Sequence, residues 1–392
     1  MNMQYNFDKI IDRSSSDAIK VDFMKGIWGR TDLIPLWVAD MDFETAPFVT
    51  EAIRKRCDNG VFGYTCKSDA YYSAIISWVK DRYGMHVEKD MINFIPGIVP
   101  GIGMAMNALT NKGDKVMIQP PVYHPFRIVT ENNGREVVYN PLQFIDGHYR
   151  MDFDALKRDI KGCSLFILCN PHNPGGTVWS REELETLAEI CYDEGVLVFS
   201  DEIHADLTFP PLKHTPFAMI GDKAKMNSVT FMSPSKAFNM PGLSASHVII
   251  YNENIRSRFK KFIDACELDM GHVFAFISVA AAYSNGTEWL DQCLAYIQKN
   301  IDYIDKFTKE HTPKIKVIRP QASYLIWMDC KELGLSQVEL NNFFSNEANL
   351  ALNNGEIFGK EGIGYMRLNA ATPMSVIEKA MIQLEAAYRK RF

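Results

Sequence analysis

Three short apolar runs in the middle of this 392-residue chain each stop at a polar group able to do chemistry. Residues 164–169 (SLFILC) lead into NPHNPGG, which holds Asn173. Residues 196–199 (VLVF) lead into SDEIH, which holds Asp201, and residues 229–232 (VTFM) lead into SPSKAFN, which holds Lys236. Taken singly, each has an ordinary explanation. An aspartate after a strand is commonly a helix cap. A lysine is commonly on the surface, because burying an ammonium is costly, and an asparagine flanked by prolines is a turn former. Delivered together to one sheet edge, the amide, the carboxylate and the amine form a set that suits one cofactor. Pyridoxal phosphate needs an amine to condense with its aldehyde and an anion to keep its pyridine nitrogen protonated, and it profits from a donor to its ring oxygen.

The elements that must position these groups are legible around them. Residues 115–119 (KVMIQ) form another short apolar run, ended by Pro120 and Pro121. Between the runs that precede Asn173 and Asp201, Ser180 with Glu183 three residues on predicts a capping box. Leu184, Leu187, Ala188 and Cys191 then recur at helical spacing over residues 180–194. Strand, helix and strand in this rhythm predict a mainly parallel sheet with helices on both faces, and in such sheets ligands sit beyond the carboxyl ends of the strands. From about residue 285 the pattern changes to long helices, with strands expected at 316–319, 324–328 and 364–368 and a last helix from Ser375. The division expected is an arm over 1–45 without a core pattern of its own, packed on the small domain, a large domain over 46–284, and a small α+β domain over 285–392.

Composition sets limits. Hydrophobic residues make up 47% and charged residues 23%, as in an ordinary globular enzyme. The net charge of −6 argues against a nucleic-acid partner, which requires a basic face. No run approaches a membrane span, and the N-terminus is too charged and broken for a signal peptide. Eight scattered cysteines show no metal spacing. Free thiols in a reducing cytoplasm and no metal are the expectation.

The NPHNPGG, SDEIH and SPSKAFN segments together resemble the fold-type I pyridoxal-phosphate enzymes, the aspartate-aminotransferase-like superfamily, over the whole chain. Within it, PLWVADMDF (35–43), FGYT (62–65), PPVYHPF (120–126) and IFGKEGIGYMRLN (357–369) are similar to the MalY/PatB-type cystathionine β-lyase branch, which includes cystalysin-type C–S lyases. The resemblance implies a seven-stranded large-domain sheet. It also implies Lys236 as the Schiff-base lysine, Asp201 as partner of the pyridine nitrogen and Asn173 as donor to the ring oxygen, with Tyr123 stacked on the ring. Ile98 and Val99 would offer backbone N–H groups to the phosphate from the turn at 96–101, ahead of a helix over 102–109. Ser233 and Ser235 would offer hydroxyls, and Tyr64 would reach the phosphate of a partner subunit, so that a homodimer shares its active sites. Arg367 would grip the substrate α-carboxylate as a planar fork, with Asn173, Val38 and Ala39 beside it. His204 falls where many aminotransferases place a tyrosine against the ring oxygen, and neither it, His124 nor His172 is assigned a chemical step.

One departure bears on the reaction. Aminotransferases of this superfamily usually carry an arginine eight residues after the lysine, against the phosphate, and this chain has Ser244. The resemblance therefore favours β-elimination from cystathionine, cysteine or related S-substituted cysteines over transamination. In both, the freed lysine removes the α-proton as general base. A non-catalytic binding protein on the same fold is disfavoured by the intact lysine, aspartate and arginine.

Overall fold

The computed structural model describes residues 3–392. Seven strands build the large sheet: β1 (Ile92–Ile95), β2 (Lys115–Ile118), β3 (Glu136–Tyr139), β4 (Cys163–Cys169), β5 (Leu197–Asp201), β6 (Ser228–Met232) and β7 (Ser246–Ile249). Their spatial order is β1-β7-β6-β5-β4-β2-β3. The five strands from β6 to β3 pair in parallel, and β7 runs antiparallel to both β6 and β1. The mainly parallel sheet expected is thus observed.

Alternation along β4 shows how both faces are covered. Leu165 and Ile167 pack into one cluster with Ile102 of helix α1 (Ile98–Leu109), Phe126 of α2 (Pro125–Asn132) and Phe259 of α4 (Glu253–Ala265). Phe166 and Leu168 point the other way, to Leu184, Leu187 and Cys191 of α3 (Arg181–Asp193). Both hydrogen bonds of the capping box between Ser180 and Glu183 are formed at the start of α3.

The tail forms a four-stranded antiparallel sheet, in the order β8 (Lys316–Ile318), β9 (Leu325–Asp329), β11 (Tyr365–Asn369), β10 (Asn353–Asn354). Helices α5 (Thr287–His311) and α6 (Met374–Arg391) pack on it through Ile297, Ile301, Ile377 and Leu384. The N-terminal segment contributes more to the core than its patterning predicts. Phe7, Leu36, Met41 and Phe43 are buried in the same cluster as Leu325 and Leu368, and Ile34–Pro35 pairs in parallel with Leu350–Ala351. Its apolar residues are irregularly spaced because they belong to loops and short helices, so no single period displays them. Among the described residues no helix is long and apolar enough to cross a membrane. The eight cysteines are free, and among the described residues no three His, Cys, Asp or Glu side chains are grouped to hold a metal ion.

Candidate active site

Beyond the carboxyl ends of β4, β5 and β6 lies a cavity of about 210 Å³, and its wall includes Lys236, Asp201, Asn173, Tyr123 and His204. Asp201 is the last residue of β5, two places further along the strand than the apolar run suggests. It is 3% exposed and its Oδ1 accepts the N–H of Ile203 at 3.1 Å. Burial raises its carboxyl to about 7, with Glu202 adding and Lys236 opposing. A carboxylate in such a place needs a cation inside the cavity to ionise without cost.

Asn173 and Lys236 sit on turns rather than on strands. The backbone N–H of Asn173 bonds the Cys169 sulfur at 3.3 Å, folding the turn back on the end of β4. After β6, the Ser233 hydroxyl donates to the Ala245 carbonyl at 2.9 Å and accepts the N–H of Ser235 at 3.1 Å. This ties the lysine-bearing turn to the start of β7. Ser233 therefore does not line the cavity, whereas Ser235 does.

The Lys236 amine is half-buried and donates to the Ala39 carbonyl at 2.5 Å. Desolvation lowers it to about 8, the anion of Asp40 opposes, Arg367 lowers it further and Asp201 opposes again. Ala39 is held in turn. Its carbonyl also accepts the Tyr324 hydroxyl at 2.9 Å, and Asn369 Nδ2 donates to the carbonyls of Val38 at 2.7 Å and Asp40 at 2.6 Å. Behind this strap, Arg13 pairs with Asp40 at 2.7 Å and Asp42 at 3.0 Å. Lys20, fully buried, pairs with Asp42 at 2.8 Å and donates to the Asp40 carbonyl at 3.2 Å.

Arg367 projects from the middle of β11, opposite Trp327 on β9 and Asn353 on β10. It is 5% exposed and donates to Asn173 Oδ1 at 3.0 Å, Asn353 Oδ1 at 2.6 Å and the Trp37 carbonyl at 3.4 Å. Its guanidinium lies 4.8 Å from the centre of the Phe358 ring, and its Nε is buried without a partner. Every hydrogen-bond partner is neutral, and burial lowers the group to about 10. A cation held this way is poised for an incoming carboxylate. With Asn173 Oδ1 engaged by the guanidinium, the amide N–H groups of Asn173 remain as donors.

At the opposite end of the cavity, Ile98 and Val99 are the first two residues of α1, so the helix begins four residues earlier than the glycine-bearing turn predicts. Pro100 is tolerated there because an N–H in the first turn has no helical acceptor. Gly101 leaves room for the Ile95 side chain: a Cβ there would stand 2.2 Å from Cδ1 of Ile95 and force it to move. The N-cap, Gly97, has φ 133° and no side-chain cap. The N–H groups of Ile98 and Val99 are thus free to meet an anion at the positive end of a twelve-residue helix. Ser244, at φ 44° in the left-handed region, forms part of the same wall. His204 is 3% exposed, with Nδ1 buried and unpartnered. Desolvation, with Lys236 and Arg367 adding, pushes it down to about 3, so the imidazole is neutral. Tyr123 is half-buried, with its ring edge-on to Phe126 at 5.7 Å. Ala39 lines the cavity, while Val38 lines an adjoining cleft that Lys236 and Ala39 share. Tyr64 stands apart, 98% exposed and outside the cavity of its own chain.

Asp40, Asn369, Tyr324 and the buried Lys20 were not anticipated as parts of the site. Asn369 lies two residues beyond Arg367 on β11, and period-two alternation places both on one face. Lys20 carries no such signal, since a single lysine in a short helix reads as solvated.

Residues 31–384 match the family described as aminotransferase class I and II. The chain is 42% identical over 384 residues to cystathionine beta-lyase PatB of Bacillus subtilis (strain 168), covering 97% of this chain and 99% of that protein. Two solved structures each superpose with a TM-score of 0.96. One, from Clostridium difficile 630, is provisionally described as an aminotransferase with pyridoxal phosphate bound; it is 39% identical, over 98% of this chain and 100% of that one. The other is cystalysin from Treponema denticola with its pyridoxal 5'-phosphate cofactor, 33% identical over 99% of this chain and 100% of that one. With Lys236 and Asp201 at the carboxyl edge of a seven-stranded sheet and Arg367 hydrogen-bonded to Asn173 beside them, the chain belongs to the aminotransferase class I and II family.

Proposed function

We propose that this protein is a pyridoxal-phosphate-dependent carbon–sulfur β-lyase that converts L-cystathionine, L-cysteine or related S-substituted cysteines to pyruvate, ammonia and a thiol. The observation that carries the reading is the half-buried Lys236 amine, lowered to about 8, in one cavity with the buried Asp201 carboxyl and the uncapped start of α1. The cavity fits the cofactor on its own terms. It has free N–H groups for a phosphate at one end, a buried carboxyl in need of a cation, and the Asn173 amide N–H groups free to donate. The bound cofactor supplies an aldehyde for the amine and a ring that delocalises negative charge from the substrate α-carbon.

Each residue then has a physical task. Arg367 holds the substrate α-carboxylate, and Asn173 fixes the guanidinium against it. Asp201 keeps the ring nitrogen protonated. Lys236 is close enough to neutral near pH 8 to accept the α-proton, and the Ala39 carbonyl holds the resulting ammonium. Loss of the β-thiolate breaks the carbon–sulfur bond, and Lys236 returns a proton to the leaving sulfur. Water then enters, so that one thioether and one water give pyruvate, ammonium and thiol. Ser244 in the anion-binding wall, in place of a fixed cation, favours this outcome over transamination. The exposed Tyr64 ring fits a homodimer in which it completes the partner's anion site, and the eight free cysteines fit a cytoplasmic setting.

Incubating the holoenzyme with cystathionine and no keto acid tests the reading. Pyruvate and thiol in equal amounts are expected. Turnover that starts only when a keto acid is added would overturn it.

A further inference from the structure

Asn239 closes the SPSKAFN segment, three residues after Lys236, and its backbone stands in the left-handed region at φ 52°. It is not part of the wall of the cofactor cavity. Its side-chain amide lies instead along residues 41–43 of the strap. Oδ1 accepts the N–H of Met41 at 2.9 Å, and Nδ2 donates to the carbonyls of Met41 at 3.0 Å and Phe43 at 2.7 Å. The Asn239 carbonyl accepts the Thr45 hydroxyl at 2.7 Å. One side chain thus engages both polar groups of Met41, as a neighbouring strand would, on a segment that lies outside any strand.

The strap is held from two sides. Asn369 at the end of β11 and Tyr324 just before β9 hold the carbonyls of Val38, Ala39 and Asp40. From the lysine turn, the hydrogen bonds to residues 38–45 among the described residues are those of Asn239 and the bond of the Lys236 amine itself to Ala39. A cleft of about 920 Å³ lies along this junction, with Lys236, Asn239 and Met41 in its wall, so no continuous packed layer backs those bonds.

We infer that Asn239 is a positioning residue for the Lys236 amine: it fixes the strap to the turn that carries the lysine, and so sets where the Ala39 carbonyl and the Asp40 carboxylate stand. The inference takes Lys236 as the amine that receives the cofactor and is independent of which bond is broken afterwards. The charged groups that act on this amine come from separate elements: Asp40 on the strap, Asp201 at the end of β5 and Arg367 on β11. His204, Tyr123 and Tyr324 stand uncharged beside them. The strap's own contributions, the Asp40 anion and the Ala39 carbonyl, both favour the ammonium. A looser strap therefore moves the amine in one direction, toward neutrality. The position asks for a left-handed backbone, which asparagine tolerates better than most residues, together with an amide that both donates and accepts. Glycine meets only the first demand.

Trace acetylation of the full-length protein freed of its cofactor, followed across pH by mass spectrometry of the Lys236 peptide, reads the amine directly, because only its neutral form reacts. In Asn239→Gly the labelling midpoint is expected about 0.5–1 pH unit below that of the wild type. Thr45→Val removes one of the four bonds at a half-buried site and is expected to move the midpoint the same way by less. Ile301→Val, a core change in α5, supplies a destabilised reference in which the denaturation midpoint falls and the labelling midpoint stays. An unchanged or alkaline midpoint in Asn239→Gly, or in Thr45→Val should the glycine variant not fold, overturns the role. So does an acid shift of equal size in Ile301→Val, which would trace the effect to lost stability alone. Labelling involves no turnover, so its failure leaves the lyase reading standing, and missing pyruvate release leaves this one standing.

Discussion

Replacing Asp201 with asparagine should stabilise the cofactor-free protein, although the same change damages the loaded enzyme. Without a cofactor beside it, burial lifts this carboxyl from 3.8 to about 7. A shift of that size corresponds to about 4 kcal/mol between folded and unfolded states. The sign follows from proton binding. Because the folded pKa is the higher one, the folded state holds more protons between about pH 4 and about pH 7, and stability falls as pH rises through that window. Asp201 is 3% exposed, so solvent screening gives little relief. An asparagine of nearly the same shape carries no charge at any of these pH values. Urea denaturation of the two cofactor-free proteins at about pH 5.5 and about pH 8 isolates the effect, since every other titrating group is common to both. The wild type should lose about 2 kcal/mol more than Asp201→Asn across that interval, roughly half of the full effect. Adding pyridoxal phosphate at about pH 8 should reverse the order, because a ring cation offsets the buried carboxylate in the wild type alone. Parallel pH profiles for the two cofactor-free proteins would refute the claim that this carboxyl is raised by its buried setting.

Other substitutions probe the remaining groups. Arg367→Lys should lower kcat/KM by about 10–100-fold, mainly through KM, because a point charge cannot form the paired hydrogen bonds of a planar fork; steady-state kinetics on cystathionine read this, and the visible absorbance of the bound cofactor should be retained. Asp40→Asn removes the anion that most opposes the lowering of the Lys236 amine, so the amine should drop below about 8. The pH midpoint for uptake of pyridoxal phosphate by the cofactor-free protein should then move to the acid side, and an alkaline shift would contradict the assignment. If Tyr64 completes the neighbouring subunit's site, Tyr64→Ala and Lys236→Ala proteins, each impaired alone, should regain up to about a quarter of wild-type activity when unfolded and refolded together, since half of the dimers are hybrids with one sound site. No recovery on mixing would place Tyr64 outside the partner's site.

What was legible in the sequence follows from how each interaction is encoded. The strands before Asn173, Asp201 and Lys236 announce themselves because buried parallel strands are short continuous apolar runs ended by turn residues. The capping box before α3 is a local pattern with a local cause, and both of its hydrogen bonds are formed. Element ends are less legible. Helix α1 starts at Ile98 rather than after Gly101, because proline and glycine are breakers in a helix interior but are admitted in its first turn. The family resemblance makes Ser233 a candidate phosphate ligand, yet its hydroxyl ties the turn to Ala245. Spacing fixes neither the rotamer nor the competing acceptor.

The least legible part is the strap behind Lys236. Arg13, Lys20, Asp40 and Asp42 are far in sequence from the lysine they serve, and in isolation each resembles a solvated charge. Their role appears only when the N-terminal segment is folded in place and every carbonyl from Trp37 to Asp40 finds a donor: Arg367, Asn369, Lys236 with Tyr324, and Asn369 with Lys20. Burying Lys20 without its partners would cost several kcal/mol, so the cluster cannot loosen one charge at a time. A segment held this way presents the Ala39 carbonyl to the lysine amine as a fixed dipole rather than a mobile loop, with the Asp40 anion behind it. The amine is therefore tuned from two sides, by desolvation and the Arg367 cation toward neutrality and by Asp40 and Asp201 toward charge. A value near 8 is the balance of those opposing effects, which on the proposed lyase reading suits one group both to take a proton from carbon and to return one to sulfur.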